Sequence, residues 1–343
     1  MKSLLHFLRL VRVGNLIVIG LTMCIIQVFI AAHGNSLIGF MFSSPSIAGH
    51  GPTFLEQYIY PYNLNWEFFF LVLSVVFIAA AGNVINDYFD VKADRVNKPE
   101  KLIVGKHIKR RWAIMFNWIF NAIGLAIAGY ISYVNGNWWI VLIAFIIINF
   151  LWFYSAVYKR KLIAGNILVA LMIGIVPIYV LFYNLPLDAY ANVNHGNHYY
   201  LGTSYIIEVV LIISILAFSI NFMREIIKDI ADMRGDLHLA ARTVPIVLGK
   251  KRTKVILIIL SIPLLFLMSF YLVDVALSQQ LATLIIRPIP TYTNFYVCII
   301  LSAICIITSM IVLISADKRK IYLLSSNLLK LAMLFGMISP LFL

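Results

Sequence analysis

Six of the chain's 14 acidic residues fall into two clusters of one pattern. Asp87, Asp90 and Asp94 stand in NDYFDVKAD; Asp229, Asp232 and Asp236 stand in DIADMRGD. Each cluster reads DxxDxxxD, and matching members keep one constant offset along the chain. Steps of three and four residues return to one face of a helix, so each triplet aims three carboxylates the same way. Like charges at that spacing repel. A hard divalent cation with oxygen ligands offsets the repulsion, and Mg2+ in particular divides its coordination between carboxylates and substrate phosphates. Solvated helix ends beside a membrane would also carry acids, but nothing would make their spacing repeat.

The elements that must hold these acids are apolar. Hydrophobic residues make up 62% of the 343 and charged residues 12%, far from the balance of a soluble domain. A membrane-spanning helix needs about 20 mostly apolar residues. Nine segments meet that requirement: 14–32, 65–86, 112–133, 138–157, 163–184, 204–226, 255–276, 294–315 and 322–343. The expected fold is an all-α membrane protein with nine transmembrane helices around a central cavity, a single domain over 1–343. The start, MKSLLHFLRLVRVGN, is basic and amphipathic and carries no small-residue cleavage site. The shared triplet pattern hints at an internal repeat, although the halves are otherwise dissimilar.

Basic residues predict the orientation. Lys2, Arg9 and Arg12 precede the first span. Lys92, Arg95, Lys98, Lys101, Lys106, Lys109, Arg110 and Arg111 follow the second, and Lys159, Arg160 and Lys161 the fourth. Arg224, Lys228, Arg234, Arg242, Lys250, Lys251, Arg252 and Lys254 surround the connection from sixth to seventh, and Lys318, Arg319 and Lys320 follow the eighth. The other side has Arg287 alone, and Lys330 lies inside the last span. The N-terminus and both triplets are therefore expected on the cytoplasmic side of the cell membrane. The net charge of +13 is this asymmetry; it suits an anionic leaflet and an anionic substrate and makes no case for nucleic acid. Connections 33–64 and 185–203 read as short polar caps over helix ends, with His195 and His198 as plain loop residues. Cys24, Cys298 and Cys305 sit in apolar segments without metal-ligand spacing.

A substrate with a diphosphate head and a long apolar tail fits acids, bases and membrane together. Carboxylate-held Mg2+ would stabilise diphosphate as a leaving group. If the tail is an allylic isoprenoid, the cation left behind must be kept from water, and helices within a bilayer supply a dry chamber.

These residues carry a resemblance. NDYFDVKADRVNKPEKLIVG resembles the first signature of the UbiA-type membrane prenyltransferases, NDxxDxxxDRxNxPxRPxxxG, and REIIKDIADMRGDLHLAARTVPIVLG resembles their second. YSAVYKRK at 154–161 is similar to the family's YSxxLKR, and Arg12 with Asn15 to its RxxN. The resemblance covers essentially the whole chain. It implies that Asn86, Asp90 and Asp94, with Asp87 in a less defined part, bind metal and diphosphate through the first motif, and Asp229, Asp232 and Asp236 through the second. Asp90, Asp94, Asp232 and Asp236 are the expected catalytic carboxylates. Lys98, Lys159, Arg160, Lys228 and Arg242 are candidates for the phosphate oxygens, and Arg12, Asn15 and Tyr154 for the acceptor.

Two departures stand out. Lys101-Leu102 replaces the family's arginine-proline, which weakens any bidentate phosphate contact there. Ala231-Asp232 replaces its frequent Glu-Asp pair. Within the family the signatures most resemble the branch that adds geranylgeranyl to geranylgeranylglyceryl phosphate, which implies geranylgeranyl diphosphate and a lipophilic acceptor as substrates. Aromatic quinone precursors and haem are the alternative acceptors. Outside the family the alternative is a polytopic carrier for a phosphorylated lipid. Carriers place charge at the membrane midplane in broken helices, whereas these acids gather at helix ends.

Overall fold

The computed structural model describes residues 2–41, 65–97, 99–184, 200–238, 241–285 and 292–343. Eleven α-helices occur among them: α1 (Lys2–Leu10), α2 (Val13–Met41), α3 (Trp66–Asn97), α4 (Arg110–Val134), α5 (Trp139–Ala156), α6 (Ala164–Asn184), α7 (Tyr200–His238), α8 (Val244–Leu248), α9 (Lys250–Ile285), α10 (Thr293–Ile314) and α11 (Arg319–Ile338). Nine of them, all but α1 and α8, are long and apolar enough to cross a membrane. The protein is a multi-pass membrane protein. Of the expected polar caps at 33–64 and 185–203, residues 33–41 continue α2 and 200–203 begin α7, while 42–64 and 185–199, with His195, His198 and Arg287, lie outside the described residues.

The observed helices outrun the expected spans at several ends, most of all at the C-terminal ends of α3 and α7. Hydropathy falls near 86 and 226, yet α3 runs to Asn97 and α7 to His238. Charged residues end the membrane-compatible stretch without ending the helix, because Asp, Lys and Arg still satisfy the backbone ladder. Both aspartate triplets ride on these extensions.

The chain divides into two compact units, residues 1–157 with 175–214, and residues 158–174 with 215–343. In the first, α3 and α4 pack closely. A Cβ on Gly124 would come within 2.7 Å of the Ile78 side chain and 3.0 Å of the Ser74 carbonyl. The Ser74 hydroxyl donates to the Gly124 carbonyl at 2.7 Å, and the Asn117 amide to the Ala81 carbonyl at 3.0 Å. Small residues and cross-helix hydrogen bonds of this kind hold membrane helices together where lipid gives no hydrophobic drive between them. α1 docks through Phe7 and Leu10, and the following turn through Val11, onto a core that includes Ala80, Val84, Val91, Val104 and Ala113. The His6 and His107 rings stack beside it, centroids 3.9 Å apart.

In the second unit, α10 and α11 interlock through serines. The Ser302 hydroxyl donates to the Ala332 carbonyl at 2.7 Å, and the Ser309 and Ser325 hydroxyls lie 2.8 Å apart. Lys254, expected only as an orientation charge, donates to the carbonyls of Ile314 and Ala316 at 3.1 and 2.6 Å, closing the end of α10. Outward side chains such as Ile262, Phe266 and Ile314 are exposed and apolar, as lipid requires.

Candidate functional site

In the first unit the acids grow out of α3. The Asn83 amide donates to the Val11 carbonyl at 3.0 Å, which fixes the rotation of α3 against the α1–α2 corner. One turn on, the Asn86 amide donates to Asp90 Oδ2 at 2.9 Å and aims that carboxylate. Asp87 accepts from Arg12 Nη2 at 2.6 Å. Arg12 forms the corner itself, with a left-handed φ of 55°. Loss of hydration works against its guanidinium, but Asp87, Asp90 and Tyr154 more than offset that and hold its pKa above the ordinary arginine value. Arg12 and Tyr154, expected at the acceptor, are thus gathered around the first triplet. Asn15 follows one turn along, its backbone N–H bonded to the Arg12 carbonyl at 2.8 Å. Arg110 lies 4.6 Å from the centre of the Tyr88 ring. Lys98 lies outside the described residues.

In the second unit the acids grow out of α7, and each of the first two has a partner from a distant segment of the chain. The Asn166 amide, near the start of α6, donates to Asp229 Oδ2 at 2.8 Å. Arg319, the first residue of α11, donates to Asp232 Oδ1 through Nη2 at 2.9 Å and Nε at 3.3 Å. The Asp236 carbonyl accepts the Ala241 backbone N–H at 3.0 Å, turning the chain toward α8. Lys228 pairs with Glu225 at 2.6 Å. Lys159 stands in the turn Tyr158–Arg160, where its charge reaches Glu225 and Asp229. That turn depends on Gly165, whose Cβ would meet the Tyr158 carbonyl at 2.8 Å and Lys159 Cα at 2.9 Å. Arg160 belongs to the same turn, its side chain outside the described set. Arg242 is exposed beyond the triplet.

Three participants were not expected. Asn166 is a polar residue inside an apolar run, which was the available signal. Arg319 belonged to a basic trio explained by orientation. Arg224, also counted as an orientation charge, lies within a span, where it pairs with Glu225 at 3.2 Å and is only 17% exposed.

Among the described residues no three His, Cys, Asp or Glu side chains converge closely enough to hold a metal ion by themselves. The donor chemistry nevertheless suits Mg2+ shared with a substrate, because Mg2+ takes one or two carboxylates and fills its octahedron with water and phosphate oxygens. Asp90 and Asp229, each braced by a neutral amide, supply carboxylate oxygens of the kind such a cation takes.

Residues 43–334 match the UbiA prenyltransferase family. The chain is 34% identical over 183 residues to a digeranylgeranylglyceryl phosphate synthase of Thermococcus gammatolerans, covering 53% of this chain and 56% of that protein. It is 33% identical over 217 residues to the synthase of Pyrococcus abyssi, covering 63% and 69%. The chain thus spans little more than half the length of the first of these relatives. A solved structure of digeranylgeranylglyceryl phosphate synthase superposes with a TM-score of 0.60 at 21% identity, covering 99% of this chain and 98% of that one. A UbiA homolog from Archaeoglobus fulgidus bound to DMAPP and Mg2+ superposes with a TM-score of 0.51 at 18% identity, covering 97% and 99%. The two acidic signatures, the nine long apolar helices and a match running through both compact units converge: the chain belongs to the UbiA prenyltransferase family.

Proposed function

We propose that this protein is a Mg2+-dependent intramembrane prenyltransferase that moves the prenyl group of an allylic diphosphate, geranylgeranyl diphosphate, to the free hydroxyl of geranylgeranylglyceryl phosphate. The observation that carries the proposal is the pair of DxxDxxxD triplets on helix extensions, each with carboxylates braced by amide donors. The similarity to digeranylgeranylglyceryl phosphate synthases supports the choice of acceptor, and the positive residues bordering both triplets support a cytoplasmic N-terminus and active site. The family match over most of the chain supports reading it as one catalytic membrane domain.

Asn86, Asp90, Asp94, Asp229, Asp232 and Asp236 would hold Mg2+. When bound, the cation neutralises charge on the departing diphosphate. Asn86 and Asn166 keep two of the carboxylates pointed, which lowers the reorganisation needed when substrate arrives. Arg12 holds Asp87 in place. Lys159, Arg160, Lys228 and Arg242, with Lys98, take the phosphate oxygens that remain. The carbon–oxygen bond to diphosphate breaks with its electron pair on the leaving group. The acceptor hydroxyl oxygen bonds the allylic carbon to form an ether, and its proton passes to the released diphosphate. An allylic cation is electrophilic enough that little base assistance is required. The apolar walls exclude competing water.

The test is direct. Purified protein is incubated with Mg2+, geranylgeranyl diphosphate and a panel containing geranylgeranylglyceryl phosphate, hydroxybenzoate, dihydroxynaphthoate and haem, and products are identified by mass. A prenylated glyceryl phosphate, absent in excess EDTA, is the expected outcome. Product from an aromatic acceptor alone would overturn the choice of acceptor.

A further inference from the structure

A carboxylate read as a metal ligand already has a cation on it. Asp232 Oδ1 accepts from Arg319 Nη2 at 2.9 Å and from Nε at 3.3 Å, both residues lying within the second unit. Membrane orientation does not require this bond. Lys318 and Lys320 flank Arg319, both are exposed, and either supplies the positive charge that a cytoplasmic flank needs. Among the described residues, Arg319 is the one of the three that pairs with an acid.

The corner that carries Arg319 is fixed from outside the triplet. Lys254 Nζ donates to the carbonyls of Ile314 and Ala316 and lies 5.6 Å from the centre of the Tyr322 ring. Ala316 and Tyr322 are buried. The chain is thus anchored on both sides of Arg319, and the guanidinium reaches Asp232 from a firm base.

Both bonds fall on one oxygen. A guanidinium carries five N–H donors in a planar fork, and these two bonds use two of them. Nη1 bonds nothing among the described residues. With 35% of the side chain exposed, the rest of the fork is open to an anion. That fork matches phosphate as well as carboxylate, which an ammonium does not. A guanidinium and Mg2+ on one carboxylate repel each other, and an anionic diphosphate bound by both removes the repulsion.

We propose that Arg319 is a further diphosphate-binding residue and couples metal binding at Asp232 to the arrival of diphosphate. It opposes the divalent cation that comes alone and favours the one that comes with substrate. This rests on the reading of Asp232 as a metal ligand given above.

The experiment uses the full-length enzyme in detergent, Mn2+ as the spectroscopic stand-in for Mg2+, since carboxylates suit both, and inorganic diphosphate as the anion. Electron paramagnetic resonance reads Mn2+ binding and calorimetry reads diphosphate binding. Wild type comes first: diphosphate binding that ignores the divalent cation sinks the metal reading and the proposal with it. Arg319→Gln, whose amide can still donate to Asp232, should weaken diphosphate binding in saturating Mn2+ about tenfold or more, the scale of one lost charge-assisted hydrogen bond. The same variant should tighten Mn2+ binding without diphosphate by up to about fivefold, the scale of a part-exposed ion pair. Arg319→Lys keeps the charge and loses the fork, so it should leave Mn2+ binding near wild type and weaken diphosphate less than the glutamine variant does. A residue that merely braces Asp232 would weaken both ligands together when replaced. That result, or cation-dependent diphosphate binding unchanged in Arg319→Gln, overturns the proposal and leaves the metal reading standing. Should thermal unfolding show that Arg319→Gln does not fold, Arg319→Lys decides: weaker diphosphate beside unchanged Mn2+ carries the proposal, and wild-type binding of both overturns it.

Discussion

Replacing Asp90 or Asp232 with asparagine separates metal binding from folding, because the two side chains are braced differently. Asp90 accepts from the Asn86 amide, and an asparagine oxygen can accept the same bond at 2.9 Å. Asp90→Asn should therefore cost about 0.5 kcal/mol of stability or less. Asp232 is held by the Arg319 guanidinium at 2.9 Å, with side-chain exposures of 35% for Arg319 and 21% for Asp232. After solvent screening such a bond is worth about 1 kcal/mol, so Asp232→Asn should lower the unfolding midpoint by about 1–3 °C. On catalysis the two should look alike. Each loses a negative oxygen from a hard cation's coordination, several kcal/mol of transition-state stabilisation, or about a thousandfold in rate at 1.4 kcal/mol per tenfold. The assay is Mg2+-dependent diphosphate release in detergent, run beside thermal unfolding of the same preparation. Near wild-type turnover in both variants, or wild-type turnover in excess EDTA, refutes the metal role. Loss of activity that tracks loss of folding refutes the separation.

Three further outcomes are expected. Arg12→Gly should unfold at a higher temperature than Arg12→Ala, because both lose the Asp87 pair while only glycine relieves a left-handed φ worth about 1 kcal/mol; the reverse order would mean no strain is held at that corner. Gly165→Ala should raise the KM for prenyl diphosphate with helix content intact, since its Cβ meets the backbone of Tyr158 and Lys159 and must displace the turn that carries Lys159. Loss of hydration, followed by the charges of His107, Arg9 and Lys106, lowers the His6 pKa from its ordinary 6.5. The docked α1 thus binds protons less readily than the released helix, and its docking is strongest above about pH 6.5 and weakens as pH falls below that value; hydrogen exchange in α1 at pH 7.5 and 5.5 checks this, and a His6→Gln variant should lose the difference.

Nine spans were legible because about 20 apolar residues in a row admit few other readings. The triplets were legible because their spacing repeats. Their setting was not. The ends of α3 and α7 were placed about ten residues early, since hydropathy reports where the membrane-compatible stretch stops and says nothing of the backbone ladder beyond it. The partners of the acids come from distant segments: Arg12 for Asp87, Asn166 for Asp229 and Arg319 for Asp232. Helical spacing relates residues only within one or two turns, so such pairs leave no local pattern. Arg319, Arg224 and Lys254 were masked further, because topology already supplied a reason for basic residues at those ends.

The continuity of α3 makes the first acidic cluster a matter of phase. From Asn117 on the Ala81 carbonyl and Asn83 on the Val11 carbonyl to Asp94 there is no break in the helix. Whatever angle those two amides set is transmitted without slack to the carboxylates. One residue inserted between Asn83 and Asn86 would swing all of them by about 100°, while four would bring them back to within about 40° of their original bearing, displaced by about 6 Å along the axis. The number of residues in that short stretch is therefore constrained independently of what Val84 and Ile85 pack against, and a change of length there would need a matching one in the segments that α3 faces.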